Sequence, residues 1–243
     1  MDFRFTEAQQ AWREEVRAFF HRVMTDDVLV EIRESGDVFS KRLWQDLANA
    51  GYLGLCWPKR YHGLERGHWD RMIFIHEACL AGFPAGVLSA MSDLELVGRN
   101  ILGFGSEVQR ATLLPKMVRG EISAAEGLTE PGAGSDLASL ETRAERDGDE
   151  WILNGSKAFN MAHVASHLLV LARTDPTLPR HRGLTFFLVD LNGPGVLITP
   201  LVTMGRWRRN VVYLQDVRVP NDLIIGALNQ GFYQWVAPAR KAN

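Results

Sequence analysis

The segment Gly127-Leu128-Thr129-Glu130-Pro131-Gly132-Ala133-Gly134-Ser135-Asp136 holds the residue types best suited to chemistry. Gly132 and Gly134 permit backbone with positive φ, and successive N–H groups can then turn into one concavity that suits a phosphate. Ser135 adds a hydroxyl donor. A Gly-rich turn joining two domains is the plainer reading of the same residues. The segment is not a P-loop, because no G-K-[ST] follows. It is not a dinucleotide-binding fingerprint either, because the spacing is wrong and no strand-turn-helix unit surrounds it. Glu126, Glu130 and Asp136 are the nearby carboxylates, with Glu130 and Asp136 reading as turn-stabilising groups. The histidines show no H-E-x-x-H or Cys/His spacing, so no metal site is expected.

The elements that must position this segment fall into two halves. Thr6-Glu7-Ala8-Gln9 is a capping box, followed by a helical stripe of Trp12, Val16, Phe19, Phe20 and Val23. Ser40 caps a second helix with Leu43 and Leu47, and Gly51 ends it. Residues 69–80 and 93–102 read as a third and a fourth helix. Ser106-Glu107-Val108-Gln109 is another capping box, and Pro115 predicts a break before Gly120. After about residue 122 the period changes to that of strands. Residues 142–146 and 150–153 read as a hairpin, and Asn154-Gly155 as a second turn. Further strands are expected at 168–173, 184–190, 196–200 and 210–219. The expectation is an α+β multidomain protein, in which an N-terminal all-α helical domain (1–122) precedes an antiparallel β-barrel-like middle domain (123–225). Residues 226–243 read as the stub of a further helical domain.

Composition bounds the class. The chain has 243 residues, 46% hydrophobic and 23% charged, which is ordinary for globular domains. Lys plus Arg number 27 and Asp plus Glu 29, for a formal charge of −2, so no general nucleic-acid footprint is present. No apolar run reaches the ~18 residues of a membrane span. The N-terminus lacks a secretory h-region. Cys56 and Cys79 make no disulfide framework, and a reducing cytoplasm is the expected home.

The octamer Thr129 to Asp136 resembles the T-E-P-x-A-G-S-D signature of the acyl-CoA dehydrogenase family. The hairpin ending in Asn154-Gly155-Ser156-Lys157 is similar to the family's own, as are Leu171-Ala172-Arg173-Thr174, Met204-Gly205 and Asp216-Val217-Arg218-Val219-Pro220. Leu114-Pro115-Lys116 and Phe5-Thr6-Glu7-Ala8-Gln9 extend the likeness upstream. The resemblance implies FAD as cofactor and an acyl-CoA thioester as substrate, which is desaturated between its α and β carbons. It implies that Leu128 and Thr129 face the flavin edge and that Gly134 and Ser135 meet the pyrophosphate. Ser135 also lies near the acyl-CoA, and Phe159 and Asn160 stand where the family has its flavin wall. Three departures stand out. Met161 replaces a hydroxyl residue, Glu126 replaces an apolar or aromatic one, and the family's C-terminal bundle has no counterpart before Asn243. The catalytic base is therefore expected beyond Asn243. Apolar faces left without a bundle imply a partner chain or a homo-oligomer. The alternative reading is a non-catalytic or truncated chain that pairs with another subunit. Arg206-Trp207-Arg208-Arg209 is a basic cluster, read as a solvated loop or a CoA phosphate contact.

Overall fold

The computed structural model of the chain describes residues 4–35, 38–204 and 208–237. The first capping box forms as its residues dictate. Thr6 Oγ1 accepts from the Gln9 backbone N–H at 3.2 Å, and the Gln9 side chain accepts from Thr6 N at 2.9 Å. Helix α1 (Glu7–Val23) follows and buries Trp12, Val16, Phe19, Phe20 and Val23, the stripe that the periodicity marks. Helices α2 (Asp26–Ser35), α3 (Lys41–Asn49), α4 (His68–Leu80), α5 (Ala85–Phe104) and α6 (Glu107–Val118) complete the first half. Two of these differ from the sequence reading. Helix α2 was not expected; of its described side chains only Val28 is buried, so it carries almost no apolar stripe. Helix α5 starts at Ala85 rather than near Asp93 and buries Val87, Ala90 and Met91 in the added turns. Pro115 does not break α6. It lies close to the C-terminal end, where a proline forfeits a single ladder bond, and Leu114, Met117 and Val118 hold the turn by burial.

The second half is a sheet of eight strands: β1 (Ala124–Gly127), β2 (Arg143–Asp147), β3 (Glu150–Asn160), β4 (His167–Arg173), β5 (Leu184–Asp190), β6 (Val196–Val202), β7 (Arg208–Pro220) and β8 (Ile224–Ile225). Among the described residues the order is β6-β7-β3-β2-β4-β5-β8, with β1 beside β4. Most pairs are antiparallel, but β1–β4 and β2–β4 are parallel. The sheet stays open, with β6 and β8 at its ends, so "barrel-like" overstates its closure. Strands β4 and β5 are buried on both faces and read as continuous apolar runs. Short helix α7 (Gly231–Val236) begins over β5, where Gly231 approaches Leu171 and Thr185 too closely for a Cβ. Pro238, Arg206 and Trp207 lie outside the described residues.

Asn154-Gly155 is not a turn. Strand β3 runs through it with a register shift against β7 between Leu153 and Gly155. The reason is a side-chain exchange across the two strands. Asn154 Nδ2 donates to Asp216 Oδ1, and Asp216 N donates to Asn154 Oδ1, both at 3.0 Å. The two halves are tied by the second capping box. Gln109 accepts from Ser106 N and also donates to the carbonyls of Asp222 (2.6 Å) and Ile224 (2.7 Å). Gly155 has φ +151°, and an added Cβ would come within 2.5–2.8 Å of Thr142. Gly155→Ala is expected to cost about 2 kcal/mol or more in denaturant unfolding. An unchanged midpoint would contradict the bulge.

Candidate active site

Strand β1 leads directly into the glycine-rich segment, and a buried lysine holds that segment in place. Lys157 on β3 is fully buried, and its ammonium donates to Leu128 O at 3.1 Å and to Glu130 Oε1 at 2.7 Å. Glu130 is buried too, and its carboxylate accepts from Glu141 N (2.7 Å) and Thr142 N (3.0 Å). Burial pushes the Lys157 ammonium down to about 8, while the Glu130 charge pulls it back up. Burial also pushes Glu130 up, but the Lys157 charge and three hydrogen bonds outweigh it and keep the carboxyl below its ordinary range. Both groups are charged at neutral pH. The pair therefore pins Leu128, Glu130 and the chain at 141–142 to one point of β3.

The same strand carries the next expected site residue. Ala158 N donates to Thr129 O at 2.8 Å, which sets Phe159 beside the Leu128-Thr129 step. Phe159 has φ +64°, a left-handed backbone that costs a bulky residue energy, and its ring is 58% exposed. An apolar ring held outward in this way is a wall that lacks its partner. Asn160 does the opposite. Its Nδ2 donates to Lys157 O at 3.1 Å and its Oδ1 accepts from Ala162 N at 3.2 Å. The amide expected to face the cofactor is turned into the protein, where it shapes the loop, and Met161 behind it is buried. Asn210 extends the arrangement by donating to Asn160 O and meeting His163 Nδ1 at 2.7 Å.

Gly132, Gly134 and Ser135 lie on the exposed rim of the segment. Neither glycine takes a positive φ, so the left-handed nest that their type permits does not form. A close Glu130–Ala133 backbone pairing makes the turn instead. A Cβ on either glycine would meet no atom within 4 Å, so both border open space. A cavity of about 490 Å³ lies alongside, lined by Glu130, Pro131, Gly132, Thr142, Arg143 and Tyr213 among others. Phe159 is not part of that lining, so its exposed ring and the open glycine rim are separate surfaces.

Residues 6–121 match the family described as Acyl-CoA dehydrogenase, N-terminal domain, and residues 125–217 match Acyl-CoA dehydrogenase, middle domain. The chain belongs to the acyl-CoA dehydrogenase family. It is 36% identical over 231 residues to the acyl-CoA dehydrogenase FadE29 of Mycobacterium tuberculosis, covering 93% of this chain and 58% of that protein. The ChsE4-ChsE5 complex from Mycobacterium tuberculosis superposes with a TM-score of 0.85 at 32% identity, over 96% of this chain and 60% of that one. Butyryl-CoA dehydrogenase from Megasphaera elsdenii gives 0.83 at 29% identity, over 96% and 62%. The chain thus spans about 60% of the length of these relatives. Acyl-CoA dehydrogenases are FAD-dependent. Among the described residues no helix is long and apolar enough to cross a membrane, and no cluster of metal-ligating side chains occurs.

In this acyl-CoA dehydrogenase chain, sequence reasoning missed one polar cluster. Glu126 on β1 has a buried Oε1 with no hydrogen-bond partner. By strand alternation it shares a face with Leu128. Burial, and then the charge of Asp93 on α5, push the Glu126 carboxyl up to about 8. Burial pushes Asp93 up to about 6, and Arg209 on β7 opposes this. Only the odd placement of Glu126 was visible in the sequence; Asp93 reads there as a helix residue like any other.

Two outcomes are expected. Lys157→Met leaves Glu130 buried and uncompensated, so it should cost about 3–5 kcal/mol, and adding Glu130→Gln should recover part of the loss. Denaturant titrations of both variants check this, and additive losses would contradict the pairing. Glu126 is raised from the ordinary carboxyl value of 4.5 to about 8, so the folded state keeps a proton that the unfolded state releases. The stability this gives is full below about pH 4.5 and is lost as pH rises through about 8. Glu126→Gln should therefore lie within about 1 kcal/mol of the native chain near pH 5 and exceed it by roughly 3–5 kcal/mol near pH 9. A difference that does not vary with pH would contradict the assignment.

Proposed function

We propose that this chain forms the flavin-edge half of an acyl-CoA dehydrogenase active site and serves α,β-desaturation of an acyl-CoA thioester. The observation that carries the reading is the Phe159 ring, held outward beside Thr129 by the buried Lys157–Glu130 pair. Leu128 and Thr129 border the flavin edge, Phe159 walls it, and Gly134 and Ser135 lie toward the pyrophosphate and the acyl-CoA. Asn160 acts as a positioning residue, because its amide is spent within the loop. Bound FAD supplies the acceptor for the β-hydride. The chain's own contribution is to orient, to exclude water and to supply hydrogen bonds as charge develops on the thioester carbonyl.

Removal of the α-proton needs a carboxylate that is ionised at working pH. We assign the base to a carboxylate outside these 243 residues. The helical part (1–122), the sheet part (123–225) and the start of a third part (226–243) are the proposed domains. Phe159, Leu197 and Tyr213 are exposed apolar groups, the last two directly paired between β6 and β7. They favour a second chain, or another copy of this one, as the missing wall. The two-chain composition of the ChsE4-ChsE5 relative supports the same reading.

The test supplies FAD, an acyl-CoA and an artificial electron acceptor, and looks for the 2-enoyl-CoA product, with and without a candidate partner chain. Product that appears, and falls at least tenfold in Phe159→Ala, is the expected result. Hydrogen peroxide release without acceptor turnover would point to an oxidase instead. The absence of product with every partner, and of FAD binding, would overturn the reading.

A further inference from the structure

We propose that Glu126, with Asp93 beside it, selects an acyl chain that carries a hydroxyl group over a plain hydrocarbon chain of the same length. This inference rests on the dehydrogenase function proposed above and names a substrate class for that site. Glu126 is the one ionisable residue of β1, whose other residues are Ala124, Ala125 and Gly127. Helix α5 packs along this strand and brings Asp93 close enough for its charge to act on Glu126. Glu126 Oε1 is buried and has no hydrogen-bond partner among the described residues. An oxygen left in that state is costly to the fold, and a ligand group that pairs with it recovers the loss.

The strand sets the distance from Glu126 to the reacting edge. Glu126 and Leu128 alternate onto one face two residues apart, which is ~7 Å along the chain. Leu128 and Thr129 border the flavin edge in the proposed function. An acyl chain that runs back along β1 from its reacting carbons therefore passes Glu126 within a few carbon atoms. The helix side of that path is not sealed. Ser89, Asp93 and Leu96 recur at i, i+4 and i+7 on α5, and all three are only half-buried, as is Glu126. The neighbouring stripe of Ala90, Leu94, Val97 and Ile101 is buried in the core.

A hydroxyl suits this pair. A protonated carboxyl offers one O–H donor and one carbonyl acceptor, and a hydroxyl can accept from the first and donate to the second. Burial, and then the Asp93 charge, keep the proton on Glu126 at neutral pH. Asp93, whose charge Arg209 opposes, adds a further acceptor. A methylene in the same place leaves the buried oxygen unpaired, and a carboxylate meets the charge of Asp93. A site built to hydrogen-bond a hydroxyl rejects the analogue that lacks it more strongly than an apolar pocket rejects an added hydroxyl.

Calorimetric titration compares hexanoyl-CoA with 6-hydroxyhexanoyl-CoA and octanoyl-CoA with 8-hydroxyoctanoyl-CoA, whose hydroxyls bracket the distance to Glu126. The native chain, Glu126→Gln and Glu126→Leu are measured, alone and with the candidate partner chain present. In the native chain one hydroxylated ligand is expected to bind about tenfold or more tightly than its parent. Glu126→Gln keeps a donor and an acceptor and should retain most of that preference. Glu126→Leu should reverse it in favour of the hydrocarbon. The readout is the ratio of two ligands within one variant, so a loss of fold that weakens both does not move it. Equal binding of each pair by the native chain, or a preference unchanged in Glu126→Leu, overturns the proposal. Plain acyl-CoA that binds and is desaturated without any hydroxyl preference overturns it and leaves the dehydrogenase function standing. Failure to bind any acyl-CoA, with or without a partner, overturns both.

Discussion

The ion pair between Lys157 and Glu130 is the constraint on which the site depends. It joins β3, in the stretch that pairs with β7, to the loop that follows β1. Two charges are taken out of water, which is costly, and the cost is offset by two hydrogen bonds from the ammonium and three to the carboxylate, one of them shared. Lys157 reaches a carbonyl as well as the carboxylate, and Glu130 also collects two backbone N–H groups from the start of β2. The result is a cross-brace between β1, β2 and β3. The strained backbone at Phe159 persists because this brace lies immediately before it, and the inward turn of Asn160 locks it from behind.

Much of the fold was legible in local chemistry. Both capping boxes form, and the α1 stripe is buried as its spacing requires. These features depend on neighbours within a turn or two, so a sequence displays them directly. The misses depend on partners far along the chain. Strand β1 is four residues long and exists because β4 pairs with it in parallel. Asn154-Gly155 has the composition of a turn, and only the exchange with Asp216 makes it a bulge. Pro115 is tolerated near the end of α6 because tertiary burial outweighs one lost bond. The candidate site divides in the same way. Its glycines, Thr129 and Ser135 were visible as a motif. The inward Asn160, the ordinary φ of Gly132 and Gly134, and the convergence of Asp93 on Glu126 were not: the first follows from bonds to Lys157 O and Ala162 N, the second from the Glu130–Ala133 pairing, and only the third from a contact between the two halves.

The pairing of Asp93 with Glu126 gives the site an unusual electrostatic floor. A helix and a strand each deliver a carboxyl to a half-buried place, and one buried oxygen of Glu126 is left without a partner. At neutral pH Glu126 holds its proton there, while Asp93, raised only to about 6, is mostly ionised and meets the opposing charge of Arg209.

If the braced loop holds Phe159 outward as one wall of a flavin site, FAD binding depends on that ring. Titrating FAD into the native chain and into Phe159→Ala, followed by flavin fluorescence, measures this. Saturable quenching by the native chain and clearly weaker binding by the variant at unchanged fold are expected. Equal binding by both chains, or no quenching by the native chain at any FAD concentration reached, would contradict it.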